Sequence, residues 1–468
     1  MLSRLFPSII AENSYEQAWR FVWLPRLLLV APILLTIAIA NFIRPSLLIF
    51  IILGLIGSGA AIFLLRHSFF GLVLLVFSTV MLPVSVGTGT ASTISLPILL
   101  VGGLTALWLF QMFAAKREIH FLRSRPIVPA LGLVVVAGLA FGVGQFPWYP
   151  TEQAPLTAQL GGLGLFVLSV AAFLLAAHQI EQKRQLERLV WLFIICGTVL
   201  IVSRFLPFLP IRRLVQPTTG SVFITCLVAL AFSQAMLNRQ LSLFKRGLLF
   251  VVVGLSFMLT LVTLRAWASG WVPAGISLLV ILWVARPRFA FIVTLFALVI
   301  FVSNFETIFT AIFVNDNNAY SLDTRLLAWQ IVAEIAKVNP LLGLGPANYY
   351  YYTPLYDIAG FNVQFNSHNQ YIDLFAQTGA LGLIFFGWWG LAIAKVGLKL
   401  RAWVAPAGFE FAFVCGVLGT LAGCVASGML GDWVLPFVYN VGLAGFASSV
   451  LFWFFAGSLL AIEKHIES

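Results

Sequence analysis

Two residue types in this 468-residue chain stand where acid–base or anion chemistry is feasible. His368 lies in the polar stretch Phe365-Asn366-Ser367-His368-Asn369-Gln370-Tyr371, directly before a long apolar run. Imidazole titrates near neutrality, so such a histidine can take a proton from a hydroxyl. The plain alternative is a surface or structural histidine. Arg204, Arg212, Arg213, Arg265 and Arg325 lie at the ends of apolar runs or in the loops beside them. Guanidinium forks hold phosphate and neutralise building negative charge. Their plain alternative is snorkelling to lipid phosphates, or for Arg325 a salt bridge to Asp323. No HExxH, P-loop, GxSxG or outward DxD pair is present, so no metal site and no cofactor is expected.

The elements that must position these residues follow from composition. Hydrophobic residues make up 61% of the chain and charged residues 9%. A soluble domain carries roughly 45–50% and about 25%. Mean hydropathy is +1.02. These values exclude a soluble globular enzyme, a disordered chain and a collagen-like fibre. The apolar runs lack the alternation of a membrane β-barrel. An all-α polytopic membrane protein remains. The four cysteines, Cys196, Cys226, Cys415 and Cys424, lie inside apolar runs and read as core residues. No short apolar core with a cleavage site opens the chain, which predicts no signal peptide.

Run lengths place spans near 27–43, 46–65, 69–86, 94–114, 127–145, 157–177, 189–203, 219–236, 246–264, 271–285, 289–303, 373–394, 409–428 and 440–461. That is about 14 helices, with 12 as the lower alternative. Three parts result: an N-terminal bundle of about 11 helices over 1–303, a large outer-face loop with short helices over 304–372, and about three C-terminal helices over 373–468. With both termini cytoplasmic, 20 of the 27 Lys and Arg residues fall on the inner side. The net charge of +11 then belongs to cytoplasmic loops and predicts no nucleic-acid partner. The outward arginines run against this bias and need another reason, an anionic ligand being one. Of the five histidines only His368 falls outside.

Within the outer loop, residues 321–338 read as a helix capped by Ser321 or Asp323. Its apolar stripe is Leu327, Ile331, Ile335 and Val338, with Lys337 near the C-terminal end. Asn339-Pro340 stops it and Gly343-Leu344-Gly345-Pro346 turns the chain. Tyr349, Tyr350, Tyr351 and Tyr352 can stack on sugar rings or form an interfacial aromatic belt. Asn315-Asp316-Asn317-Asn318 reads as a turn.

Arg325-Leu326-Leu327-Ala328-Trp329, then residues 339–349 from Asn339-Pro340 to Asn348-Tyr349, then His368-Asn369-Gln370-Tyr371 and Gln377-Thr378-Gly379-Ala380-Leu381-Gly382 resemble the O-antigen ligase and polymerase superfamily. Upstream, Thr263-Leu264-Arg265-Ala266-Trp267 resembles that superfamily's outer arginine, with Leu264 where a serine is usual. Arg212-Arg213, followed by Gln216-Pro217-Thr218, resembles its arginine-then-proline segment. The resemblance implies a cytoplasmic-membrane glycosyltransferase with its active site on the outer face. It would move a glycan from undecaprenyl diphosphate to an acceptor hydroxyl on a lipid, a glycan or a protein, without a metal. His368 would be the base. Arg265, Arg325, Arg213 and Arg212 would hold the diphosphate, and Tyr349, Tyr350 and Asn369 would contact glycan. Many spans fit a polysaccharide or lipid transporter or flippase equally well, and a non-catalytic assembly partner is a third reading.

Overall fold

The computed structural model describes residues 57–87, 93–117, 121–206, 208, 210–217, 219–264, 267–313 and 322–467. The expected span at 27–43, most of that at 46–65, the Ser321 cap, the 315–318 turn and Arg265 lie outside the described residues.

The chain is a polytopic membrane protein built from helices. In order these are α1 (Gly57–Arg66), α2 (Ser68–Val80), α3 (Leu96–Phe110), α4 (Ile127–Val143), α5 (Leu156–Gln179), α6 (Lys183–Phe205), α7 (Ser221–Leu237), α8 (Leu243–Met258), α9 (Ala268–Ala285), α10 (Pro287–Ser303), α11 (Phe305–Phe313), α12 (Leu322–Ala336), α13 (Tyr349–Tyr352), α14 (Gln370–Trp403), α15 (Phe409–Leu430) and α16 (Phe446–Glu467). Among the described residues, eight helical stretches are long and apolar enough to cross a membrane, or nine if the bent pair α1–α2 counts as one span. Helices α4, α7 and α10 are shorter apolar helices.

Burial sorts them into layers. Helix α7 is buried almost all round, as is α16. A helix apolar on every side belongs in the centre of a bundle. Helices α9 and α15 pack on α7, and α5 packs on α16. The α9–α15 contact is close because Gly423 faces the Pro273 carbonyl, which a Cβ would approach to 2.6 Å. Small residues let membrane helices pack backbone to backbone, where water supplies no hydrophobic drive. Helix α10 has only Ala290 buried and presents its apolar surface outward. The four cysteines are buried free thiols, as core residues should be.

Two departures from the expected boundaries bear on the site. The run expected at 69–86 stops as a helix at Val80, with Met81 extended. Leu82-Pro83 follows, and the residue before proline is pushed out of the helical region. Beyond it, Ser85–Gly87 (β1) pairs antiparallel with Thr93–Ser95 (β2), the one sheet among the described residues. The last α-helix begins at Phe446 rather than 440, because Gly442 turns at φ 69° and residues 443–445 form a 3-10 turn. This leaves Asn440 in a loop.

Helix α14 carries the site at one end. It breaks at Gly379, whose φ of 64° lies in the left-handed region. The break is filled by the preceding turn: Leu344 N–H donates to Ala376 O at 2.9 Å, Gly345 N–H to Gln377 O at 3.1 Å, and Ala380 N–H to Pro340 O at 2.8 Å. A Cβ on Gly379 would meet Leu341 O at 2.3 Å. The expected turn at Gly343–Gly345 forms, with φ of 68° and 84°, and its purpose is this brace.

Candidate functional site

The loop before α14 is over-determined. Asn369 caps α14, its side chain accepting from Tyr371 and Ile372 N–H at 2.9 and 3.4 Å. Ser367 is buried; its Oγ donates to Asp373 Oδ1 at 2.7 Å and accepts from Asn369 N–H at 3.1 Å. Tyr349 donates its hydroxyl to the same Asp373 oxygen. Trp329 Nε1 donates to Ser367 O at 2.8 Å. Between these anchors His368 takes φ 48°, a left-handed conformation uncommon outside glycine. The strain is held by the neighbours' bonds, and such positions cluster at functional sites.

The His368 ring faces a second loop, between α15 and α16. Its Nδ1 lies 3.4 Å from Asn440 Nδ2, and that amide donates to Asp432 Oδ1. Asp432 is fully buried; its other oxygen accepts from Phe437 N–H at 2.6 Å. Burial raises its pKa above the usual carboxylate range, while the bonds from Phe437 and Asn440 pull the other way. Gln370 clamps the loop, accepting from Val434 and Leu435 N–H at 3.1 and 2.8 Å. The result is a buried carboxylate, an amide and an imidazole in line.

Asn440 also lines a cavity of about 480 Å³ together with Gln216, Thr219, Trp267 and Trp433. Trp267 and Trp433 meet edge to face at 5.7 Å between ring centroids. Two chain segments set apart in sequence thus border one cavity with the His368 partner. The Gln216 segment is held against α2, with Gln216 N–H donating to Val80 O at 2.9 Å and its side chain to Ser78 O at 3.0 Å. Arg204 donates to Gln216 O at 2.5 Å, which gives this arginine a structural role.

The predicted residues fall into place unequally. Arg325 is half-buried on α12, one turn before Trp329 on the same helical face. Arg212 and Arg213 are exposed in the 3-10 turn Pro210–Arg213, just ahead of Gln216. Arg265 lies outside the described residues, two positions before the cavity-lining Trp267. Tyr349 is fully buried and stacks on Phe437 at 4.9 Å, so it cannot meet a glycan and positions Asp373 instead. The hydrophobic surround and the Asp373 charge raise its pKa well above the phenol range. Tyr350 is half-buried and stacks on Tyr439 at 4.5 Å. Asn369 is buried, with its side-chain oxygen spent on the cap. The α12 stripe is Ala328, Ile331, Val332, Ile335 and Ala336, packed on Tyr349, Tyr352 and Phe437. Val338, expected in it, is exposed. Lys337 pairs with Glu334.

Sequence reading missed Asp373, Asp432 and Asn440. Asp432 carried no signal by sidedness, because acids do not follow the rule that sorts Lys and Arg. Asn440 falls within the apolar run 440–461, which reads as helix. No group of three or more His, Cys, Asp or Glu among the described residues is arranged to hold a metal.

Residues 241–387 match the family model described as O-antigen ligase. No curated protein matches the chain. The matched stretch holds α8 to α12, the brace at Gly343–Gly379, Trp329 and His368.

Proposed function

We infer, taking the O-antigen ligase domain over residues 241–387 as the premise, that the protein is a membrane glycosyltransferase acting on lipid-linked glycans. The donor is a glycan on undecaprenyl diphosphate and the acceptor is a hydroxyl. The observation that carries the site assignment is the Asp432–Asn440–His368 line, whose middle member Asn440 borders the cavity.

In this arrangement Asn440 directs N–H groups to Asp432 and to His368 Nδ1. Nδ1 is then the unprotonated nitrogen, and the ring proton sits on Nε2. An acceptor hydroxyl entering beside Asn440 replaces the long 3.4 Å contact from that amide and gives its proton to Nδ1. Its oxygen attacks the anomeric carbon, the bond from that carbon to the diphosphate oxygen breaks, and undecaprenyl diphosphate departs with the electron pair. The buried Asp432 carboxylate offsets the positive charge that forms on the ring. Arg325, with Arg213, Arg212 and Arg265, neutralises the diphosphate as it leaves. Tyr350 and Tyr439 offer a stacked aromatic surface for sugar. Asp373 stands behind the loop as a positioning residue.

The site works at the outer face of the cytoplasmic membrane in this reading, with both termini inside. The acceptor is a lipid-anchored core glycan, a second lipid-linked glycan or a protein hydroxyl. The test is reconstitution: purified protein, lipid-linked donor and each acceptor in turn. Glycan must appear on one acceptor with wild type and not with His368→Ala. Transport of donor across vesicles without any acceptor, unaffected by His368→Ala, would replace this reading with a flippase.

A further inference from the structure

We propose that the protein holds the phosphate group of an anionic phospholipid at the end of the bundle opposite His368. This site does not depend on the transfer reaction. A cavity of about 260 Å³ there is lined by Arg123, Arg125, Lys395, Lys399 and Glu463. Helix α14 runs from Gln370 beside His368 to Trp403, and past its break at Gly379 Lys395 and Lys399 lie about 24 and 30 Å further along at 1.5 Å per residue.

Three separate stretches of chain converge on the cavity. Arg123 and Arg125 come from the loop before α4, the lysines from the far end of α14, and Glu463 from α16. Both Glu463 oxygens are engaged. Ser124 Oγ donates to Oε2 at 2.6 Å and Lys399 Nζ to Oε1 at 3.3 Å. Glu463 is buried, and through Ser124 it fixes the loop between the two arginines that flank it. Four cations thus surround one carboxylate, and the excess positive charge favours an anion.

Basic residues at span ends are common, and most simply reach for bulk headgroups. Here Arg123, Arg125, Lys395 and Lys399, from separate stretches of chain, line one shared cavity. Its depth selects the occupant. The cavity lies at the ends of membrane-spanning helices, where lipid phosphates sit, and Lys399 lies over the ring of half-exposed Trp403, a residue type typical of that depth. Basic pockets between helix ends are the recognised form of such headgroup sites.

The test uses the full-length protein, delipidated in detergent and titrated with dioleoyl phosphatidylglycerol, tetraoleoyl cardiolipin or dioleoyl phosphatidylcholine, with bound lipid read by native mass spectrometry. The two anionic lipids should bind tighter than phosphatidylcholine. The Arg123→Gln/Arg125→Gln/Lys395→Gln variant should lose that preference by roughly fivefold per residue, about a hundredfold in all. Glu463→Gln, which keeps the Ser124 bond and releases the Lys399 charge, should bind anionic lipid more tightly. Equal binding of all lipids by wild type, an unchanged triple variant, or weaker binding by Glu463→Gln would overturn the proposal. So would displacement of the lipid by millimolar inorganic phosphate, which would assign the site to a soluble anion.

Discussion

The Trp329 indole N–H donates to the Ser367 carbonyl at 2.8 Å, and this bond ties the helix that carries Arg325 to the loop that carries His368. A cation suited to the diphosphate and a base suited to the hydroxyl are thereby set at a fixed separation. Trp329→Phe keeps the ring and removes the donor, leaving a carbonyl short of one bond at a cost of about 1 kcal/mol. The variant should fold. Its kcat should fall about tenfold with little change in KM, measured as initial rates of glycan transfer. An unchanged kcat would make Trp329 a packing residue only.

Arg325 should not tolerate lysine. A guanidinium holds two phosphate oxygens at once, and an ammonium is a point charge. Arg325→Lys should lower kcat/KM by about tenfold or more, and Arg325→Ala further. Retained kinetics in the lysine variant would show that charge alone is needed there.

Asp432 has a pH signature. Its raised pKa means that it holds its proton more tightly folded than unfolded. Such a carboxyl contributes stability that is fully present below the ordinary carboxylate pKa of about 4. The contribution is lost as pH rises through the raised folded value. Asp432→Asn has no such loss. The melting temperature of Asp432→Asn relative to wild type should therefore rise as pH increases from about 4 to 7. Parallel curves would mean that Asp432 is not buried as described. In activity the effect is opposite, since the ionised form is the one that supports the His368 imidazolium, and Asp432→Asn should transfer glycan more slowly at neutral pH.

Gly379 permits the break in α14 and the close approach of Leu341. Gly379→Ala combines a positive φ with a Cβ 2.3 Å from a backbone oxygen. Monodisperse protein on size-exclusion chromatography should be lost, rather than activity alone. A folded and active Gly379→Ala would contradict the brace between residues 340–345 and 376–381.

The bundle was legible because its elements are set by apolar length. Helices α4 to α10 begin and end within a few residues of the expected runs, except that α6 starts at Lys183 rather than 189 and α8 passes into a π-helical stretch, Leu259–Thr263, after Met258. Polar helix ends such as Lys183-Arg184 add turns that hydropathy does not count. Sidedness is what singles out His368 and Arg325 as candidates, because a charge on the unfavoured side is a departure from a rule. Asp432 was not legible, because acids on either side break no rule. Asn440 was not, because an amide in an apolar run reads as helix until Gly442 is seen to turn. Tyr349 misled for a related reason: four tyrosines in a row do not show which ring is buried, and the packing on Phe437 and Asp373 decides it.

The central claim is that His368 takes the acceptor's proton. The direct measurement compares wild type with His368→Ala and His368→Gln, each at equal folded concentration, for donor binding and for transfer in the same reconstituted membrane. Donor binding should persist, and transfer should fall by roughly 10²–10⁴-fold, the range of general-base catalysis. Transfer within about twofold of wild type in both variants, with donor still bound, would contradict the assignment and move the chemistry away from His368.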